Sequence, residues 1–276
     1  MNKVLIGRNG FLAQAIQRAT TPDELTVIGS IDFDLINDTP KVIEALLGKD
    51  LLIDAADYYP GITATSKNPI EVYETNIKMY EKIFALAYKN KIKKVITIGT
   101  TGCYPVTDEK LQENMFNGDI SKLNKKLISY ALSRFTLLDI SAIYRNQFGI
   151  EHLHLVLPNF YGPGDKYEVG RSHLLASWIR DFNTAKKRGD NSIELWGPPT
   201  QKREFIYIDD AASYVLALAK INIKQEVLNV GTGSVPTYGE MAESILCALD
   251  FDCKLTWNLN KQVSRKYEII DNTLMQ

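Results

Sequence analysis

The sequence predicts an α/β protein: a doubly wound parallel sheet with a smaller lobe toward the C-terminus. Three observations point there. Short, nearly continuous apolar runs alternate with longer amphipathic segments. The runs lack the in–out alternation of a half-exposed strand, as expected for strands covered on both faces. A glycine-bearing turn also follows the first run directly and leads into the first amphipathic segment.

The predicted strands are Val4–Ile6, Leu25–Ile28, Leu51–Ala56, Val95–Ile98, His152–Leu157 and Val227–Val230. Predicted helices fall between and after them: Gly10 to about Ala19, Thr39–Leu47, Pro69–Asn90, Leu123–Phe148, Ser172–Lys187, Asp209–Lys220 and Tyr238–Leu249. Thr39-Pro40 opens the second helix as a hydroxyl cap followed by proline, and Gly48 stands just past its end. Strict β–α alternation argues for a parallel sheet. After Tyr161 the pattern loosens around Gly162–Gly164 and Gly197–Pro199. We therefore expect a dinucleotide-binding domain over residues 1–161, with returns from about 203–232, and a substrate lobe over 162–276.

Bulk properties narrow the function. The chain has 276 residues, 45% hydrophobic and 24% charged, with a formal net charge of −1. That suits one folded α/β unit with a core of ordinary size. It gives no reason to expect a nucleic-acid or membrane partner, so any anion must be recognised by a local site. The three cysteines, Cys103, Cys247 and Cys253, lack zinc-site spacing; no metal and a reducing, cytoplasmic setting are expected. No apolar run approaches the roughly 18 residues of a membrane span. The N-terminus enters a strand at once, with no signal-like core.

In Gly7-Arg8-Asn9-Gly10-Phe11-Leu12-Ala13, glycine at 7 permits a tight turn, glycine at 10 lets backbone approach a pyrophosphate, and Ala13 allows close helix–strand packing. The helix end adds free N–H groups and a positive dipole. This is a Rossmann-type dinucleotide signature in its proper context. Asp32 would hold a ribose diol and favour NAD(H), whereas Arg8 would meet a 2′-phosphate and favour NADP(H).

The fourth strand ends in Gly99-Thr100-Thr101-Gly102-Cys103-Tyr104-Pro105, placing hydroxyls at the carboxyl edge of a parallel strand, where ligands bind. Tyr130 and Arg134, four apart, share a helix face. A fixed cation would lower the phenol's pKa, Thr100 would bind the reacting oxygen, and Tyr130 would move a proton.

These features resemble the extended short-chain dehydrogenase/reductases of the epimerase/dehydratase kind. The resemblance rests on Gly7-x-x-Gly10-x-x-Ala13, Thr100/Thr101 before Tyr104-Pro105, and Tyr130-x-x-x-Arg134. Further blocks are Asn68-Pro69 to Asn76, Leu157–Asp165, Ser172-His173, Trp196-Gly197 with Arg203-Glu204-Phe205, Asp209-Asp210 and Asn229–Gly233. It runs over almost the whole chain and comes nearest to enzymes that epimerise and reduce nucleotide-linked 4-keto-6-deoxy sugars. It implies NADP(H) or NAD(H) at Gly7, Arg8, Asn9, Gly10, Phe11, Leu12, Asp32, Ala55, Ala56, Asn76, Tyr130 and Arg134. Thr100, Tyr130, Arg134 and the acid His173 would be catalytic. A nucleotide-diphosphate sugar would meet Thr101, Gly102, Asn159, His173, Trp196 and Arg203. It further implies a homodimer through Pro69–Asn90 and Leu123–Phe148.

Three departures are expected to matter. Arg134 stands where the family carries lysine. Gly102 stands where an epimerising cysteine would be, with Cys103 one residue on and facing the opposite way along a strand, which favours plain reduction. The chain reaches Gln276 soon after Ser264-Arg265-Lys266, so the substrate lobe would be abbreviated. A 4-epimerase with retained NAD and a cofactor-binding protein with weakened catalysis are the alternative readings.

Overall fold

The expected apolar runs form one parallel sheet. A computed structural model describes residues 1–30, 40–169, 172–261 and 269–275. In it, β1 (Lys3–Ile6), β2 (Leu25–Ile28), β3 (Leu51–Asp54), β4 (Lys94–Thr100) and β5 (Glu151–Leu157) are followed by short β6 (Asn159–Tyr161), β7 (Ser192–Trp196), β8 (Phe205–Tyr207), β9 (Val227–Asn229) and β10 (Lys254–Asn258). Six of them lie in the order β2-β1-β3-β4-β5-β9, all parallel. The helices are α1 (Phe11–Arg18), α2 (Pro40–Leu46), α3 (Ile62–Lys67), α4 (Pro69–Lys89), α5 (Ile128–Phe148), α6 (Leu174–Arg188), α7 (Ile208–Leu218) and α8 (Tyr238–Ala248).

Both faces of the sheet are covered, which is why its strands read as unbroken apolar runs. Leu5, Ile53, Ile96 and Leu155 face Leu12, Ile16, Ala211 and Val215 of α1 and α7. Val4, Ile6, Leu52 and Val95 face Tyr80, Ile83, Phe84 and Leu137 of α4 and α5. Each such side chain contributes about 1.5–3 kcal/mol through burial.

The structure departs from expectation locally. α5 begins at Ile128, not Leu123, because Asn124 forms a turn first: its Oδ1 accepts the Lys126 N–H at 3.0 Å and its carbonyl the Leu127 N–H at 2.8 Å. α6 begins at Leu174, with His173 as the capping residue. Asn68 caps the central helix α4, and Pro69–Asn76 forms its opening turns. β7 and β10 form a separate parallel pair, packed with α6 and α8 around Trp178, Phe182, Leu195 and Tyr238. The alternation of exposed and buried residues in β7 differs from the continuous runs of the main sheet. α3 is short and rich in Thr and Ser, so it carries little helical signal. Asp32, Thr39 and Ser264–Lys266 lie outside the described residues.

The interior carries a polar knot. The Thr97 hydroxyl lies 2.8 Å from His152 Nε2 and 2.7 Å from His154 Nδ1, and both histidines are buried. Burial pushes His152 down to about 3 and His154 well below the ordinary value. Depressed bases stabilise the fold fully above about pH 6.5, and that stability is lost as pH falls toward 3. We therefore expect His152→Gln to flatten the acid side of the stability curve. Between about pH 4 and 6, chemical denaturation should show a slope lower by about 1.4 kcal/mol per pH unit.

Candidate active site

The turn after β1 is a cradle that only glycine fits. Gly7 has φ +105°, and a Cβ there would lie 2.8 Å from the Ala55 carbonyl and the Ala56 nitrogen. Its carbonyl accepts the Gly10 N–H at 2.7 Å, and a Cβ on Gly10 would sit 3.2 Å from that oxygen. Asn9 is exposed at the tip. α1 then starts at Phe11, so the first-turn amides of Phe11, Leu12 and Ala13 face out of the helix end. The Leu12 side chain belongs to the core, so what it offers a ligand is its N–H. The cradle fits a dinucleotide pyrophosphate: bare backbone beside β3, a positive helix end and no side chain in the way.

Arg8 turns toward β2, donating from Nη2 to the Val27 carbonyl at 2.7 Å and lying against Gly29. That is the edge where the adenosine ribose sits in this fold. Asn76 is fully buried; its amide donates to the carbonyls of Tyr58 and Val72 at 3.0 and 2.8 Å, and its oxygen accepts the Tyr58 N–H at 3.1 Å. It therefore fixes the loop after β3 and has little left to offer a ligand.

Tyr130 and Arg134 meet as their spacing requires: Arg134 Nη2 donates to the phenol oxygen at 3.0 Å. A third group joins them. Arg134 Nη2 also lies 2.8 Å from Asp57 Oδ1, and the Tyr130 hydroxyl donates to Asp57 Oδ2. Tyr80 lies beneath the guanidinium, 5.2 Å from ring centre to Cζ, and the Tyr59 ring is 5.1 Å from that of Tyr130. Nε and Nη1 of Arg134 have no hydrogen-bond partner among the described residues. These buried donors suit the polar face of a ribose or amide.

For Tyr130, burial outweighs the lowering by Arg134 that the helical spacing led us to expect. It pushes the phenol well above its usual value, and Asp57 adds to this. Arg134 stays firmly charged: burial opposes the charge, but Asp57 and the tyrosines more than offset it. Nearby Asp54 is fully buried at the end of β3 and pushed up to about 7 by that burial. Its Oδ1 accepts the Ala56 N–H at 3.0 Å.

Thr100 ends β4 in an extended conformation, and its Oγ1 accepts the Gly102 N–H at 3.3 Å. Thr101–Cys103 is a single 3-10 turn, so strand alternation does not set the direction of Cys103; the cysteine is removed from solvent by burial. On the other side of the cradle, Phe11 meets Phe160 edge-on at 6.3 Å and stacks with His173 at 6.2 Å. His173 Nδ1 lies 2.7 Å from Asp165 Oδ1. Asn159, paired in register with Phe205, has a buried Nδ2 without a partner among the described residues. Trp196 is exposed, with Lys261 Nζ 4.0 Å above its ring. Arg203 is half-buried, its N–H bonded to the Pro236 carbonyl at 3.3 Å.

The structure thus gathers Tyr130 and Arg134 at the carboxyl edge of β3 and β4, and His173 with Phe11 at the cradle. Sequence reading missed Asp57, Tyr59 and Tyr80. One signal was available: Asp54 and Asp57 are acids at the carboxyl end of an apolar parallel strand, where ligands bind. For the cradle, Gly7→Ala should weaken dinucleotide binding at least about tenfold in a fluorescence titration. Positive φ and the backbone clash should also cost about 1–3 kcal/mol of stability.

Comparison with known proteins agrees with this geometry. The NAD dependent epimerase/dehydratase family matches residues 6–231. The probable GDP-L-fucose synthase 1 of Oryza sativa subsp. japonica is 27% identical over 278 residues, spanning 98% of this chain and 84% of that protein. A GDP-D-glycero-L-gluco-heptose synthase from Campylobacter jejuni, solved in the presence of NADPH, superposes with a TM-score of 0.81 at 20% identity, over 99% of this chain and 92% of that one. A UDP-N-acetylglucosamine 4-epimerase from Methanobrevibacter ruminantium M1 gives 0.84 at 21% identity, over 99% and 90%. With the phosphate turn, the tyrosine and its cation in place on a parallel sheet, the chain belongs to the NAD-dependent epimerase/dehydratase family.

Proposed function

We propose that this protein is an NADP(H)-dependent reductase of a nucleotide-diphosphate-linked 4-keto-6-deoxy sugar. The observation that carries the reading is the state of Tyr130. Its phenol keeps its proton, donates it in a hydrogen bond and has a guanidinium against its oxygen. That is a group prepared to give a proton to a forming alkoxide. The dinucleotide, when bound, would supply the hydride to the keto carbon. Thr100 would hydrogen-bond the carbonyl oxygen, Tyr130 would pass its proton to that oxygen, and Arg134 would stabilise the phenolate left behind. Base-driven epimerisation has less support, because Cys103 is fully buried.

Arg8, in the turn after β1 and held against the end of β2, supports NADP(H). Asn159, Trp196, Arg203 and the His173–Asp165 pair would take the sugar and its diphosphate, and Arg203 has the fork that suits phosphate. We read residues 162–276 as the substrate lobe. A reducing cytoplasmic setting fits three free cysteines, and no helix among the described residues is long and apolar enough to cross a membrane.

A panel of GDP-, dTDP- and UDP-linked 4-keto-6-deoxyhexoses, followed by NADPH absorbance and product NMR, tests this reading. One ketosugar should be reduced with stoichiometric NADPH loss. Tyr130→Phe should lower kcat about 10²–10⁴-fold with little change in KM. No oxidation with any of them, or interconversion without net NADPH loss, would overturn it.

We further propose pairing of two copies through α4 and α5. Ile143 of α5 is 60% exposed, and Tyr88 of α4 and Phe148 of α5 form an exposed ring pair with centres 4.0 Å apart. Light scattering should give a dimer that Ile143→Glu splits.

A further inference from the structure

Asp57 holds Arg134 and Tyr130 with both carboxylate oxygens. A single guanidinium nitrogen, Nη2, bridges carboxylate and phenol. We propose that Asp57 is a positioning residue for the catalytic pair: its carboxylate is the counter-ion the buried guanidinium requires, and it aims the Tyr130 hydroxyl, so the three side chains work as one unit. The proposal rests on the reading of Tyr130 as proton donor and deepens it.

Three observations converge. First, the Arg134 side chain is only 2% exposed, and arginine cannot shed its charge. A buried cation needs a partner. Asp54 is a poor one, since burial holds it at about 7 and it forms no ion pair with Arg134. Second, Asp57 is placed by construction. The next residue, Tyr58, has its N–H and carbonyl clamped by buried Asn76, and its hydroxyl donates to Glu71 at 2.6 Å. Third, Asp57 itself is 28% exposed, at the open side of the pair, while the guanidinium lies inside. The charged or titratable groups facing this centre include Arg134 and Tyr130 from α5, Tyr80 from α4, Asp54 from β3, His154 from β5, Cys103 from the turn after β4, and Tyr59 from Asp57's own loop. Asp57 is bonded to both members of the pair, one carboxylate oxygen to each.

The geometry also gives a reason for arginine at 134. A guanidinium can give one nitrogen to two oxygens and stay planar beneath them, provided a fixed carboxylate completes the set. Removing one partner of such a buried pair strands the other, whereas removing both is milder. Asp57 and Arg134 should therefore be energetically coupled.

Two measurements on the protein without cofactor or substrate decide this. The first is ¹³C NMR with tyrosine labelled at Cζ, Tyr130 being assigned by its loss in Tyr130→Phe. Tyr130 should stay un-ionised to the highest pH at which the wild-type protein is folded. In Asp57→Asn, which keeps shape and removes charge, Tyr130 should begin to ionise within that pH range. No ionisation in that range would overturn the proposal. The second is a denaturation cycle of Asp57→Ala, Arg134→Met and the double variant. The double variant should be more stable than the sum of the single changes requires; additive losses would overturn the coupling. The double variant also keeps the test decisive if either single one fails to fold. Under turnover, Asp57→Asn should lose about tenfold or more in kcat with KM little changed. Should no ketosugar be turned over, the function proposed above fails while the NMR and denaturation results still judge Asp57.

Discussion

A guanidinium sealed inside a protein is among the most demanding groups a fold can carry, and the functional centre here is organised around one. Arg134 lies beneath the carboxyl edge of the sheet with its side chain almost wholly removed from water. Its charge is sustained by a carboxylate from the loop after β3, a phenol one helical turn away and the ring face of Tyr80. Each partner comes from a different element. The β3 loop, α4 and α5 must therefore be in register before the charge is tolerable. The buried Asn76, which clamps the Tyr58 backbone, belongs to the same requirement.

The same environment sets the chemistry. A cation beside a phenol ordinarily makes it more acidic. In this protein burial and a neighbouring carboxylate push the other way, and the phenol keeps its proton. A tyrosine in that state is suited to donating a proton to an oxygen that gains negative charge. The glycine cradle next to it fits the pyrophosphate of a dinucleotide because its backbone is bare and closely packed against β3. Family membership and local electrostatics thus point to the same class of reaction, by independent routes.

Much of this was legible in the chain. Gly7, Gly10 and Ala13 announced the cradle because steric demands on a backbone turn are written in residue size alone. The Tyr130–Arg134 pair was legible because helical spacing brings residues four apart together. The central strands were legible because burial on both faces leaves continuous apolar runs. The half-exposed strands β7 and β10 and the Thr- and Ser-rich α3 were not, since short, polar-interrupted segments carry little pattern. The fold of Thr101–Cys103 was missed for a different reason: a 3-10 turn depends on hydrogen bonds that periodicity does not encode.

Taken alone, the sequence determined the local and periodic features: which segments become strands and helices, which turn approaches a phosphate, and which two side chains share a helix face. Only the tertiary structure decided that Asp57 completes the pair, that Tyr130 keeps its proton and that Asn76 serves the loop. The physical reason is distance along the chain. Asp57 and Tyr130 are separated by 73 residues, and a charge's effect depends on what folding places beside it and how far water is excluded.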